Sequence, residues 1–119
     1  MAHDFVHLHV HSDYSLLDGA SSIKKLITTA KNLGEKALAL TDHGNMFGAL
    51  RFFRECKAQD IKPLIGCEVY VANGSRLSKP ENTGVRKYFH LILLAKNETG
   101  YRNLMVLCSK AYTEGMYYK

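Results

Sequence analysis

From residue 5 to residue 11 the side chains alternate, with Phe5, His7, His9 and His11 on one side and Val6, Leu8 and Val10 on the other. A period of two predicts a strand. Ser21 or Ser22 can cap a helix whose apolar positions, Ile23, Leu26, Ile27, Ala30 and Leu33, recur at helical spacing until Gly34 stops it. Residues 36–40 ("KALAL") form a continuous apolar run, as in a strand covered on both faces of a parallel sheet. A second helix is predicted from residue 46 to about 58, with Leu50 and Phe53 facing inward. Strands follow over residues 62–72 and 87–95. Asn97 then caps a last helix with Tyr101, Leu104, Met105, Cys108 and Ala111 on one stripe, closed by Gly115.

The order β-α-β-α-β-β-α predicts an α/β architecture built from parallel crossover units. One connection differs. Residues 73–86 ("NGSRLSKPENTGVR") carry turn chemistry and no helical stripe, so the strands on either side of them are expected to pair antiparallel. That hairpin returns His90 to the end of the sheet that holds Glu68.

At 119 residues, 46% hydrophobic and 23% charged, the chain is a globular domain at most. No apolar run reaches the length of a membrane span and no signal-peptide core opens the chain, so a cytoplasmic location without membrane contact is expected. Cys56, Cys67 and Cys108 are odd in number and contain no CxxC pair, which argues against a disulfide framework or a zinc knuckle. The net charge of +5 is compatible with phosphate-rich partners. Arg76, Lys79, Arg86 and Lys87, however, crowd one segment that reads most simply as a solvated loop.

The histidines change the picture. Three of the six, His7, His9 and His11, stand at alternate positions of one stretch. Side chains two apart on a strand share a face at a spacing of roughly 6.6 Å, so His9 and His11 can converge on one ion or on neighbouring ions. A polar strand edge is the bland alternative. His43 follows the apolar run in "LTDHG", at the carboxyl end of a strand, where functional groups gather in barrels of alternating strands and helices. Asp42 beside it can equally serve as a helix cap. Glu68 and His90 are titratable groups inside apolar strands and need partners there. Asp18, in the "SLLDGA" turn, can fold back over the end of the first strand. His7 is further from that end, and His3 is expected in solvent. Imidazoles and carboxylates without thiolates suit zinc, manganese or iron. More ligands than one tetrahedral ion can use imply a multinuclear cluster, the kind that hydrolyses phosphoesters.

"HLHVHS", "LTDHG", "GCEVY" and "FHLILLAKN" resemble, in order and spacing, the opening motifs of the PHP (polymerase and histidinol phosphatase) family. The stretches between them ("SDYSLLDGA", "GNMFGALRFF", "IKPLIG", "NETGYRNLMVLCSKAYTEG") are similar to the PHP segment of bacterial replicative C-family DNA polymerases. The resemblance implies a distorted (β/α)7 barrel with up to three divalent ions at the carboxyl ends of its strands. It implies His9, His11, Asp18, His43, Glu68 and His90 as metal ligands, with Glu68 bridging two ions and Asp42 orienting an imidazole. His7 falls where many relatives carry an aspartate. The implied activity is a metal-dependent 3′–5′ exonuclease within a DNA-directed DNA polymerase, with DNA and other replisome subunits as partners. A structural PHP module without activity and a free-standing phosphatase of a small phosphate ester are the alternatives. The family's later ligands are missing, so residues 1–119 are expected to be an incomplete PHP domain, the N-terminal half of the barrel. Such a piece is expected to be inactive alone and to self-associate.

Overall fold

The computed structural model describes residues 5–78 and 88–115. Lys79, Arg86 and Lys87 of the predicted basic loop, and His3, lie outside them. The first helix, α1 (Ile23–Asn32), begins where Ser22 accepts the Lys25 amide, and the chain leaves it through Gly34 at φ +82°. Its Ile23, Ile27 and Ala30 are buried. β1 (Ala37–Leu40) is buried at every position, as a strand covered on both faces must be.

β2 (Lys62–Ala72) is the central strand of the order β1-β2-β3. It pairs parallel with β1 over Lys62 to Ile65, and antiparallel with β3 (Tyr88–Leu94) from Gly66 onward. It changes partner at Gly66, where a Cβ would stand 2.5 Å from the Leu93 carbonyl oxygen. Only a glycine lets the two backbones approach this closely. The predicted crossover and the predicted hairpin are both present. α2 (Ala49–Ala58) and α1 cover the sheet, enclosing a core of Ile23, Ile27, Leu38, Leu40, Phe52 and Ile61 with Ala30 and Cys56.

Three expectations are corrected. Residues 5–11 do not form a regular strand. Ala39 donates to the His7 carbonyl and Thr41 to that of Val10, so three residues on one side match two on the other. The Val10 amide bonds to the Thr41 hydroxyl instead of a backbone carbonyl, and the extra residue breaks the ladder. The second helix starts at Ala49 rather than residue 46. The Asn45 side chain accepts the Phe47 amide, and that turn delays the helix. Finally, Leu50 and Phe53 face outward, 57% and 44% exposed, while Ala49, Phe52 and Cys56 form the inner stripe. Gly48 fixes this phase, since a Cβ there would meet Ile23 at 3.0 Å. The Lys57 ammonium instead covers Phe53, 5.7 Å from its ring centre.

The last helix, α3 (Glu98–Lys110), is capped by Asn97, which accepts the Gly100 amide at 3.0 Å, and a π turn carries it to Gly115. Of its predicted stripe only Leu104 is fully buried. Cys56, Cys67 and Cys108 are free thiols, with the Cys67 and Cys108 sulfurs 3.6 Å apart. Burial pushes the Cys56 thiol up to about 12. The radius of gyration, 15.8 Å, exceeds the roughly 13.5 Å of a compact domain this long. Apolar side chains accordingly remain exposed along β3 and α3, among them Leu91, Val106 and Leu107. Among the described residues no helix is long and apolar enough to cross a membrane.

Candidate metal centre

The site stands where β1 ends and β2 changes partner. Beyond Leu40 the chain stays beside β2. The Asp42 carbonyl accepts the Glu68 amide at 3.0 Å, and the Glu68 carbonyl accepts the Gly44 amide at 2.9 Å. His43 is thereby held directly opposite Glu68.

Residues 12–19 bring up the amino-terminal side. Asp42, 1% exposed, accepts the Ser12 amide at 2.6 Å, the Ser12 hydroxyl at 2.8 Å and the Ser15 hydroxyl at 2.7 Å. The Ser15 oxygen in turn accepts the His43 amide at 2.9 Å. Among the described residues Asp42 therefore bonds to no imidazole nitrogen, unlike the role expected of it. It ties the turn to the end of β1 and holds His43 through Ser15. Gly19 lets this turn close, because a Cβ there would lie 1.9 Å from the Ser12 carbonyl oxygen. Leu17 takes a left-handed φ of 71° just before Asp18.

Glu68 is the hub. One carboxylate oxygen, Oε2, lies 2.8 Å from His9 Nε2 and 2.5 Å from His11 Nε2. The other, Oε1, lies 2.7 Å from His90 Nδ1. His90 is opposite Tyr70 in the ladder, so it reaches Glu68 along the same-face diagonal of the hairpin. Asp18 Oδ2 sits 3.0 Å from His11 Nδ1 and 2.8 Å from His43 Nδ1. Burial pushes the Glu68 carboxyl up, but the contacts with His9, His90 and His11 outweigh it and hold the group at about 2. A carboxyl held below its unfolded value of 4.5 stabilises the fold above pH 4.5. That contribution is lost as the pH falls through about 2. The hydrogen bond to His43 likewise lowers the Asp18 carboxyl.

The six predicted ligands thus meet in one place. They form three overlapping triads: His9, His11 and Glu68; His11, Asp18 and His43; His43, Glu68 and His90. Within each, the donor atoms lie within 4.8 Å of one another. Ligands on one tetrahedral zinc stand roughly 3.4 Å apart, from bonds of about 2.0–2.1 Å. The donor set fits divalent ions in a second respect. His43 Nε2 is buried and has no hydrogen-bond partner among the described residues, and such an orphan is costly unless something binds it.

His7 belongs to none of the triads. Its Nδ1 lies 2.6 Å from Oε1 of the buried Glu35, whose Oε2 also accepts the His7 amide. Sequence reading passed over Ser12 and Ser15, which look like ordinary turn residues until Asp42 is found between them. It also missed Tyr70, whose ring stacks on His43 with centroids 4.9 Å apart. Its position two residues beyond Glu68 on the same strand face was the available signal.

A family signature described as PHP domain matches residues 7–119. Over 115 residues the chain is 71% identical to the DNA polymerase III subunit alpha of Treponema pallidum (strain Nichols) and 54% identical to that of Borreliella burgdorferi. Each match covers 97% of this chain and 10% of the relative, so the chain spans about a tenth of the length of these proteins. Its fold is similar to that of an amidohydrolase from Chromobacterium violaceum, solved with bound sulfate and no metal, with a TM-score of 0.61 at 26% identity. That match covers 88% of this chain and 34% of the other.

Proposed function

The chain belongs to the PHP domain family, and on that premise we propose that it is the N-terminal PHP segment of a replicative DNA polymerase alpha subunit, carrying part of a metal-dependent phosphoesterase site. The activity in the full protein is 3′–5′ removal of nucleotides from DNA, a proofreading function, and residues 1–119 are one part of the barrel. The observation that carries this reading is the gathering of both Glu68 oxygens by three histidines from two separate segments, the amino-terminal stretch and β3. Polymerase relatives at 54–71% identity support DNA and the other replisome subunits as partners. All six positions expected to ligate are occupied, which favours an active site over a decayed structural module.

His9, His11, Asp18, His43, Glu68 and His90 would hold the ions, and zinc, manganese and iron all suit such donors. A divalent cluster supplies Lewis acidity to water and to phosphate oxygens. The remaining work falls to the protein. Glu68 joins the amino-terminal imidazoles to the hairpin through its two oxygens, so its backbone position sets the spacing of the whole group. Asp18 orients His11 and His43 through their Nδ1 atoms, leaving the buried His43 Nε2 without a hydrogen-bond partner among the described residues. Asp42 and the two serines keep that turn from drifting.

In the full-length protein, the double substitution His9→Ala/His11→Ala is expected to lower bound metal and to slow 3′–5′ nuclease action about a hundredfold or more, with nucleotide addition retained. Metal content and nuclease rate equal to wild type would reject the proposal. The isolated 119-residue piece is expected to be inactive and to self-associate through the apolar side chains exposed on β3 and α3. Light scattering at high concentration checks this, and a monodisperse monomer would contradict it.

A further inference from the structure

Next to the imidazoles stands a group of tyrosines that metal binding does not require. Tyr70 lies face to face with His43, its ring tilted by 28°. It also meets His90 and Tyr88 nearly edge-on, at 5.1 and 5.0 Å. Tyr112, from the π turn after α3, comes over the same spot. A Cβ at Gly44 would be 3.2 Å from the Tyr70 ring and 3.9 Å from the Tyr112 hydroxyl. In this 119-residue piece Tyr70 is 49% exposed, Tyr88 46% and Tyr112 49%, so the outer side of the group lies open beside His43 and His90.

We infer that Tyr70, flanked by Tyr88 and Tyr112, is a stacking platform for the nucleobase of the substrate's terminal nucleotide. The inference rests on the phosphoesterase reading above and adds to it the residues that hold the base of the terminal nucleotide. The rings adjoin His43 and His90, so a phosphate at the cluster carries its base within reach of them. A small sugar phosphate has no π face to offer, whereas every base does, and stacking tolerates any sequence. This platform therefore separates nucleotide ends from simple phosphate esters without reading base identity.

The test uses the full-length polymerase chain loaded with manganese and a fluorescent probe, the 5′-monophosphate of 2-aminopurine deoxyribonucleoside, whose emission is quenched on stacking. Wild type is expected to quench the probe and to bind it about tenfold more tightly than Tyr70→Ala. Tyr70→Phe should behave as wild type. Deoxyribose 5-phosphate, which lacks the base, should bind all three alike at unchanged manganese content. Equal quenching and affinity in wild type and Tyr70→Ala would overturn the inference while leaving the metal reading intact. A joint loss of manganese and deoxyribose 5-phosphate binding in Tyr70→Ala would also overturn it, since the ring would then be a prop for His43. A wild type that holds no manganese and ignores the probe overturns both readings, and the manganese content tells these failures apart.

Discussion

Replacing Glu68 with glutamine is expected to abolish stable metal loading. Loss of an outer partner of a ligand typically costs about 10–100-fold in metal affinity. Glu68 contacts three imidazoles through two oxygens and belongs to two of the three triads, so its replacement should exceed about a hundredfold. The amide preserves the shape of the side chain but removes its charge and one acceptor. His9 and His11 then face one another across a group that can satisfy only part of their demand. Metal analysis of purified full-length protein, wild type beside Glu68→Gln, reads the effect directly. Nuclease rate should fall at least as far. A variant that retains its full metal complement would exclude Glu68 as the bridge.

The second large effect is on stability rather than chemistry. Asp42→Ala removes the acceptor of three donors in a site 1% exposed: the Ser12 amide and both serine hydroxyls. The hydroxyls can rotate towards other oxygens, but the amide cannot. Stranding such groups costs about 3 kcal/mol or more, a large share of the roughly 5–15 kcal/mol that holds a domain folded. Urea unfolding should show a lower midpoint with an unchanged slope. Asp42→Asn should fall between the two, because its amide keeps one acceptor oxygen while turning a donor towards donors. A loss below about 1 kcal/mol for the alanine variant would mean that the 12–19 turn is held by something other than this carboxylate.

Much of this fold was legible because local signals and packing agree. Ser22, Gly34 and Asn97 cap or end helices where their chemistry says they should. The bounds of β2 follow its apolar run, and the turn-rich stretch after it gave away the hairpin. Legibility failed where a tertiary contact decides between local options. Leu50 and Phe53 look like an inner face until the close approach at Gly48 rotates the helix onto Phe52. The alternation of residues 5–11 is a real strand pattern, but the bulge against β1 is set by the Thr41 hydroxyl, which no periodicity can reveal. The six clustered donors were findable because imidazoles and carboxylates stand out against apolar neighbours: Glu68 and His90 inside β2 and β3, His43 just past β1, and His9, His11 and Asp18 in the stretch before α1. The Asp42 network was not, since its partners are a main-chain amide and two serines of a kind found in any turn.

The seam at Gly66 has a consequence for how this stretch of chain can vary. Residues before it answer to β1, those after it to β3, and Glu68, two positions beyond the change, also to the His43 turn on the β1 side. Dropping or adding one residue between Lys62 and Gly66 would turn Cys67 into the pocket and Glu68 into the packed side, or else pull one neighbour out of step. Side chains here can be exchanged, but their number cannot, so descendants of this segment should differ at β2 by substitution and never by length.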